Sequence, residues 1–279
     1  MLSYQHGYHA GNAADLHKHI VLAELLARLT AKPRGITYLE THAGRGLYDL
    51  TAPEALKTGE AAAGIARVAV PPDSPYGRAL AETRARHGRQ AYPGSPLIAR
   101  LLTRAQDRLA LMELHPAEHA ALRAALAGEG VAIHHRDGRE GALALAPFTP
   151  RKGLVLIDPS YEVKSEYADT AGFARRLIGK WPQATVLVWY PLLPAGRHSE
   201  LLAGLAGVTT LLVVWITGPG TIAERAQARA EAVALVDNVP LQPVPPVRFG
   251  VGLILGLGGA LALTAAGIAG VARGRREGS

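Results

Sequence analysis

Short uninterrupted apolar runs alternate with segments of helical periodicity along most of the chain. Apolar runs bounded by turn residues predict strands, and apolar residues three and four apart predict helices. The predicted strands lie at residues 36–39, 109–112, 131–134, 153–157, 185–189 and 209–216, and helices are predicted at 97–103, 117–126 and 170–180. Strands that are apolar throughout are buried on both faces, which is typical of a parallel sheet covered by helices. The pattern therefore predicts an α/β fold.

A further helix is predicted at the N-terminus. It begins after Asn12, whose side chain can cap it, and ends at Lys32-Pro33. Its opening turns carry His17, Lys18 and His19, close to the end where the helix macrodipole disfavours positive charge. Two interpretations stay open: an anionic partner that offsets these charges, or a solvated face of neutral histidines.

Residues 47–93 interrupt the alternation of strands and helices. Prolines separate short pieces there, and residues 77–87 look helical. We predict an inserted, mostly helical subdomain at 47–93, and a core that residues 1–46 and 94–217 build together.

Acidic residues stand at or directly after the ends of four predicted strands: Glu40, Glu113, Asp137 and Asp158. Ligands of parallel sheets bind beyond the carboxyl ends of the strands. Gly44 and Gly46 form a Gly-x-Gly turn that lets the backbone approach a ligand, and a carboxylate at the next strand end can accept both ribose hydroxyls. This indicates a nucleoside-bearing ligand. The dinucleotide and P-loop glycine motifs are missing, which disfavours NAD enzymes and P-loop NTPases.

The run Asp158-Pro159-Ser160-Tyr161 resembles the [DNS]-P-P-[YFW] motif of amino-group methyltransferases that use S-adenosylmethionine. The exocyclic amine of a base is a poor nucleophile because its lone pair is delocalised into the ring. Hydrogen bonds from the amine to the Asp carboxylate and the Pro carbonyl localise that lone pair. Tyr161 is expected to stack on a base turned out of its helix or loop. Ser160 departs from the motif, and an ordinary Pro turn after a buried strand is the structural alternative.

Charge and composition limit the classes of ligand and of chemistry that the chain can support. The formal net charge of +7 predicts attraction to polyanions such as nucleic acid, anionic lipid or phosphorylated ligands. A basic run at Arg84, Arg86, His87 and Arg89 either contacts RNA phosphates or forms a solvated helix face. The absence of Cys excludes disulfides, Cys-ligated zinc and thiol nucleophiles and favours a cytoplasmic location. Without Cys or a convergent set of carboxylates, the histidines predict no metal site.

Several separated runs together resemble the RlmJ family, bacterial 23S ribosomal RNA adenine-N6 methyltransferases. They are Met1-Leu2-Ser3-Tyr4, His9-Ala10-Gly11-Asn12 with Ala14-Asp15 and Lys18-His19, Tyr38-Leu39-Glu40-Thr41-His42-Ala43-Gly44, Tyr92-Pro93-Gly94-Ser95-Pro96 and Ile157-Asp158-Pro159-Ser160-Tyr161-Glu162. The resemblance covers residues 1–217. It implies a Rossmann-like methyltransferase sheet with a small helical insertion, S-adenosylmethionine as methyl donor, and adenine 2030 of 23S rRNA as the target.

The resemblance also assigns roles to individual residues. It implies Asp158 as the catalytic acid, with Pro159 and Tyr161 beside it, and Tyr4 as a contact of the RNA. The implied contacts of S-adenosylmethionine are Lys18, His19, His42, Gly44, Ser95, Glu113, Asp137, Gly138 and Asp158. Because an ordinary carboxylate is too weak a base to deprotonate a neutral amine, we expect Asp158 to orient the amine and accept its hydrogen bond. Arg84, Arg86 and Arg89 are hypothetical RNA contacts.

The resemblance ends after Gly218, and residues 218–279 form an atypical tail. Residues 249–272 carry no charge, and Arg273, Arg275 and Arg276 follow them. The segment has the length of a transmembrane helix, but a buried strand and helix or a frameshifted tail are alternatives, and we favour the frameshift over a membrane anchor.

The leading interpretation is therefore a cytoplasmic, monomeric RNA adenine-N6 methyltransferase whose partner is 23S rRNA. A DNA adenine-N6 methyltransferase shares the same motif chemistry, and only competition between RNA and DNA separates the two. A catalytically impaired nucleic-acid-binding module is the third interpretation, and binding of S-adenosylmethionine discriminates against it.

Overall fold

The computed structural model describes residues 4–191, 196–205 and 211–216 of the 279-residue chain. Within these ranges the strands are β1 (Thr37–Glu40), β2 (Leu47–Asp49), β3 (Ala91–Pro93), β4 (Arg108–Glu113), β5 (Val131–His135), β6 (Gly153–Ile157), β7 (Ala184–Pro191) and β8 (Leu211–Ile216). The helices are α1 (Ala13–Thr30), α2 (Pro53–Thr58), α3 (Glu60–Ala63), α4 (Pro75–His87), α5 (Ser95–Leu102), α6 (Pro116–Leu126), α7 (Gly138–Leu145), α8 (Glu166–Lys180) and α9 (His198–Leu205).

Six strands of the described chain form one parallel sheet in the order β5-β4-β1-β6-β7-β8. Strand β1 is central, and its Thr37 lies opposite Arg108 of β4 on one side and Gly153 of β6 on the other. The predicted α/β fold with a parallel sheet is confirmed. The order reverses beside β1, so the carboxyl ends of β4, β1 and β6 meet where such folds bind ligands.

The sheet is buried on both faces, as its continuous apolar strands require. In β6, Leu154 and Leu156 pack on one face with residues of α1, α5 and α6, while Val155 and Ile157 pack on the other with residues of α8 and α9. Side chains of a strand alternate between its faces, so each strand supplies both cores.

Helix α1 begins as predicted, because the Asn12 side chain accepts a hydrogen bond from the backbone N–H of Asp15 at 2.8 Å. Lys18 and His19 are nevertheless buried. The alternative of a solvated helix face is therefore wrong for Lys18 and His19. The positive charge of Lys18 near the start of α1 is offset by two anionic side chains, Asp15 and Asp158, which both contact it.

Strands β2 and β3 pair antiparallel and bring the two ends of residues 47–93 together. Helices α2, α3 and α4 lie between them, and a third apolar cluster that includes Leu16, Ile65 and Leu80 joins this segment to α1. The division of the chain into a core and an inserted subdomain stays a prediction.

Two helices, α7 and α9, were not predicted from the sequence. The tail at 218–279 lies outside the described residues. In the part of the chain that is described, no helix combines the length and the apolar character that crossing a bilayer demands.

Candidate active site

The acids predicted to lie at strand ends do so. Glu40 and Glu113 are the last residues of β1 and β4, and Asp137 and Asp158 come shortly after β5 and β6. Beyond β1, Thr41 donates its backbone N–H to Leu156 at 3.2 Å, and Ala43 donates its own to Met112 at 3.0 Å. These bonds fix the loop after β1 between its two neighbours, so Glu40, Glu113 and Asp158 share one edge of the sheet.

Asp158 forms an ion pair that the sequence did not predict. The Lys18 ammonium lies 2.5 Å from Asp158 Oδ2 and 3.1 Å from Asp15 Oδ1. Burial alone lowers the pKa of Lys18, but the charges of Asp158 and Asp15 outweigh it and hold that pKa well above its ordinary value. Lys18 is therefore a buried permanent cation between two carboxylates.

The ion pair continues toward the N-terminus as a chain of hydrogen bonds. His6 Nε2 lies 2.9 Å from Asp15 Oδ2, and His6 Nδ1 lies 2.8 Å from the Tyr4 hydroxyl. Burial raises the pKa of Asp15, yet His6 and Lys18 together bring it well below its ordinary value. Because an ionised carboxylate only accepts, His6 donates from Nε2 to Asp15.

Tyr4, the predicted RNA contact, thus belongs to the same network of contacts as Asp158. Burial raises its pKa above the ordinary value, and the charges of Lys18 and Asp158 also act on it. The side chain is nevertheless 38% exposed, and its ring stacks on His9 with centroids 5.8 Å apart. Tyr4 therefore offers an exposed aromatic ring to a ligand from solution.

Glu113 has both carboxylate oxygens on backbone donors. Oε2 accepts from Gly44 N at 2.7 Å, and Oε1 accepts from His115 N at 2.7 Å. Gly44 adopts φ +62°, and a Cβ there would lie 2.6 Å from the Tyr48 hydroxyl oxygen, so the turn requires glycine. Each carboxylate oxygen has two lone pairs, which leaves Glu113 able to accept further hydrogen bonds.

Asp137 and Gly138 lie at the start of α7. Asp137 Oδ1 caps the helix by accepting from Glu140 N at 2.9 Å. Gly138 packs directly against the loop after β1, because a Cβ at this position would lie 1.8 Å from the Thr41 carbonyl oxygen. This contact brings the turn after β5 against the turn after β1.

The two histidines predicted at the donor site differ in position. His19 is fully buried and hydrogen-bonded through Nδ1 to the Tyr92 hydroxyl at 3.0 Å, and burial lowers its pKa to about 3. His42 follows Glu40 and Thr41 and bonds to the Thr41 hydroxyl at 2.8 Å. Burial lowers the pKa of His42 to about 4, although Asp158 opposes the shift. Both rings are therefore neutral at pH 7.

Ser95 is buried at the start of α5 and bonded to Glu40. Its hydroxyl oxygen lies 2.5 Å from Glu40 Oε1, and the Tyr38 hydroxyl donates to Glu40 Oε2 at 2.8 Å. The sequence placed Glu40 among the strand-end acids but gave it no role.

The turn after β6 has an unusual backbone. Tyr161 adopts φ 55°, the left-handed region that a bulky side chain rarely occupies, and such outliers cluster at functional sites. Its ring is 7% exposed and packs on Tyr167 with centroids 4.5 Å apart, while Pro159 is buried and Ser160 exposed. Stacking of Tyr161 on a base stays a prediction.

The basic run lies on and after the last turn of α4. Arg86 is exposed and bonded to Glu82 at 2.7 Å, Arg84 is partly buried, and His87 and Arg89 are exposed. Cations near a helix C-terminus are favoured by the macrodipole. Their contact with RNA stays a prediction.

The structure thus joins Tyr4, Lys18 and Asp158 in one network. Sequence analysis gave no role to two residues of this network, His6 and Asp15, or to Glu40 at the neighbouring strand end. Asp15 could have been found from the sequence, because it belongs to one of the runs that carry the family resemblance. Among the described residues, no group of three His, Asp or Glu side chains could hold a metal ion.

Comparison with known proteins gives consistent results. The family model described as Ribosomal RNA large subunit methyltransferase D, RlmJ matches residues 33–238. That range ends beyond Gly218, and the assignment of residues 218–279 to an atypical tail stays a prediction.

Individual relatives agree with this match. The chain is 39% identical to Ribosomal RNA large subunit methyltransferase J of Escherichia coli (strain K12) and 37% identical to that of Haemophilus influenzae, in each case over 77% of this chain and 79% of the relative. A crystal structure of protein LPL1258 from Legionella pneumophila is 37% identical and superposes with a TM-score of 0.62, over 71% of this chain and 75% of the other.

Proposed function

The chain belongs to the RlmJ family of ribosomal RNA large subunit methyltransferases, and from this premise we propose that it methylates the N6 amine of an adenine in 23S rRNA. We propose S-adenosylmethionine as the methyl donor and, from family resemblance, adenine 2030 as the target. We also propose that the protein acts in the cytoplasm and as a monomer.

The observation that carries this proposal is the environment of Asp158. Its Oδ2 atom is paired with Lys18 at 2.5 Å. Among the described residues, no hydrogen bond is made to Oδ1. A carboxylate held in this way can accept the N–H of an amine through Oδ1, while the carbonyl oxygen of Pro159 accepts the second N–H. Fixed acceptors localise the lone pair of the amine and align it for in-line attack.

The residues at the neighbouring strand ends fit an S-adenosyl donor by their chemistry. When bound, the donor supplies an electrophilic methyl group on a positively charged sulfur. We propose that Glu113 accepts the ribose hydroxyls, that Asp137 and Gly138 border the adenine, and that Gly44 allows the close approach of the backbone. Two backbone donors already orient the carboxylate of Glu113, which supports this assignment.

The remaining donor contacts are proposed around the amino-acid part of the molecule. They are His19, His42, Ser95 and Lys18. Neutral imidazoles can hydrogen-bond the donor without repelling its sulfonium charge, which supports the two histidines. For Lys18 the contact with Asp158 supports an additional role, as the residue that orients the catalytic carboxylate.

On the RNA side, we propose that Tyr4 contacts the acceptor nucleotide and that Tyr161 borders the base. Arg84, Arg86 and Arg89 are proposed to bind phosphates outside the pocket. The net charge of +7 supports an electrostatic contribution, and binding should therefore weaken as salt is raised.

The test is transfer of a labelled methyl group to protein-free 23S RNA, followed by nucleoside analysis, with wild type, Asp158→Ala and Asp73→Asn. Asp73 is exposed in the loop before α4, so its substitution controls for loss of one acidic group. We expect N6-methyladenosine with wild type and Asp73→Asn, and a loss of at least about 100-fold with Asp158→Ala at nearly unchanged donor affinity.

Wild-type turnover by Asp158→Ala would contradict the assignment of the catalytic acid. Equal or faster methylation of a DNA competitor would contradict RNA as the substrate. Failure of wild type to bind the donor in calorimetry would leave only a nucleic-acid-binding module.

A further inference from the structure

Glu40 is a fully buried carboxyl group whose contacts are all hydroxyls. Ser95 Oγ lies 2.5 Å from Oε1, and the Tyr38 hydroxyl donates to Oε2 at 2.8 Å. Among the described residues no cation contacts it. The charged groups that act on it from the surrounding elements are Lys18 of α1 and Asp158 after β6, and they oppose each other.

Burial raises the pKa of Glu40 to about 8, although the hydrogen bonds from Ser95 and Tyr38 and the charge of Lys18 pull it down. The pKa of Tyr38 is itself raised, by burial first and then by Glu40, so Tyr38 stays a neutral donor. Glu40 is therefore a neutral acid at pH 7, in contrast to Asp158, which is ion-paired 2.5 Å from Lys18.

The protonation of Glu40 decides which way the hydrogen of Ser95 points. A neutral carboxylic acid has one O–H to donate, and the acceptors within reach are the hydroxyl oxygens of Ser95 and Tyr38; the shorter contact, 2.5 Å against 2.8 Å, assigns that hydrogen to Ser95 Oγ. The hydrogen of Ser95 is then free to point away from Glu40. An ionised Glu40 only accepts, so it would take the hydrogen of Ser95 and leave the serine with lone pairs outward.

We propose that Glu40 is a positioning residue that keeps Ser95 a hydrogen-bond donor toward the carboxylate of the methyl donor's amino-acid part. The inference rests on the proposed function, in which Ser95 contacts the donor. Ser95 is also the first residue of α5, at the end of the helix where partial positive charge favours an anionic group.

The test compares wild type with Glu40→Gln, whose amide N–H can donate to Ser95 at every pH and so imitates the neutral acid. The dissociation constant for S-adenosylmethionine is measured by calorimetry from pH 6 to pH 9.5. The ratio of the wild-type constant to the Glu40→Gln constant should stay flat up to about pH 7 and rise about tenfold by pH 9. Taking the ratio removes the titration of the ligand's own amino group.

Methylthioadenosine, which lacks the amino-acid part, is the matched control ligand. Its affinity should show no difference between the two proteins at any pH. A ratio for S-adenosylmethionine that is flat to pH 9.5, or a rise that methylthioadenosine shares, would overturn the inference while leaving the proposed function intact. If neither ligand binds wild type, the proposed function fails instead.

If Glu40→Gln does not fold, Ser95→Ala tests the proposed role of Glu40 instead. Without the hydroxyl, donor affinity should be reduced at pH 7, and the affinity difference from wild type should disappear by pH 9. A difference that persists unchanged at pH 9 would overturn the role of Glu40.

Discussion

Gly138 is the residue at which a single added methyl group should separate the two turns that border the proposed donor site. It begins α7 directly after Asp137, and the Cβ of an alanine there would lie 1.8 Å from the carbonyl oxygen of Thr41 and 2.5 Å from its carbonyl carbon. Thr41 cannot easily move away, because its own N–H is bonded to Leu156 of β6. We therefore predict that Gly138→Ala impairs both folding and donor binding.

The size of the effect follows from these distances. Real Cβ atoms essentially never approach a heavy atom closer than 3.0 Å, so the two backbones must separate by at least 3.0 − 1.8 = 1.2 Å. Such overpacking costs about 1–3 kcal/mol of unfolding free energy. A displacement of about 1 Å at a positioned group can also cost about 100-fold in rate, and Asp137 moves together with Gly138.

The assay is urea unfolding together with calorimetric titration of S-adenosylmethionine. Gly172→Ala is the matched control, because Gly172 lies exposed within α8 and a Cβ there would meet no atom within 4 Å. We expect Gly172→Ala to gain about 0.4–1 kcal/mol with unchanged affinity. If Gly138→Ala unfolds within about 0.5 kcal/mol of wild type and binds the donor equally well, the close contact with Thr41 is refuted.

Two further predictions concern charged groups. Lys18→Met should lower single-turnover methylation at saturating S-adenosylmethionine by about 10- to 100-fold, since Asp158 loses the cation that orients it; an unchanged rate at saturating donor would leave Lys18 with the proposed donor contact only. Asp107→Asn should cost about 1–3 kcal/mol in urea unfolding at pH 7, because buried Asp107 accepts from Ile36 N and from Arg104. Burial raises the pKa of Asp107, but Arg104 and these backbone donors hold it below its ordinary value, so its stabilisation is present above about pH 4 and lost as the pH falls through the lower folded value. A cost that is as large at pH 2 as at pH 7 would contradict this reasoning.

Much of the fold follows from the sequence because the sheet is buried on both faces. A strand such as β6 must be apolar at every position, and this pattern is local and easily recognised. Helix α7 lacks an equally local signal. It contains Gly138 and Gly141, which weaken helix propensity, and both are needed where neighbours approach closely: the carbonyl oxygen of Thr41 and the sulfur of Met112. Its stability comes from tertiary packing, which periodicity does not report.

For the candidate site, too, the local features could be predicted from the sequence and the tertiary contacts could not. Strand ends can be located from sequence, and a parallel sheet brings them to one edge, so the acids there were found together. The contacts between Lys18 and Asp158 and between Ser95 and Glu40 join residues 140 and 55 positions apart. They depend on how α1 and α5 pack against the sheet, which is set by the whole core and not by any local pattern.

The two adjacent strand-end acids, Glu40 and Asp158, show how one sheet edge can support different chemistry. Asp158 is paired with a buried lysine, whereas the side chains that contact Glu40 in the described part of the chain are hydroxyls, and burial raises the pKa of Glu40 to about 8. The charge of Asp158 raises the pKa of Glu40 and so favours its neutral form, whereas the charge of Lys18 acts in the opposite direction. A methyl transfer that needs an acceptor for an amine and a donor for a carboxylate can therefore use two neighbouring acids: Asp158 as the proposed acceptor, and Glu40 through the hydroxyl of Ser95 as the proposed donor.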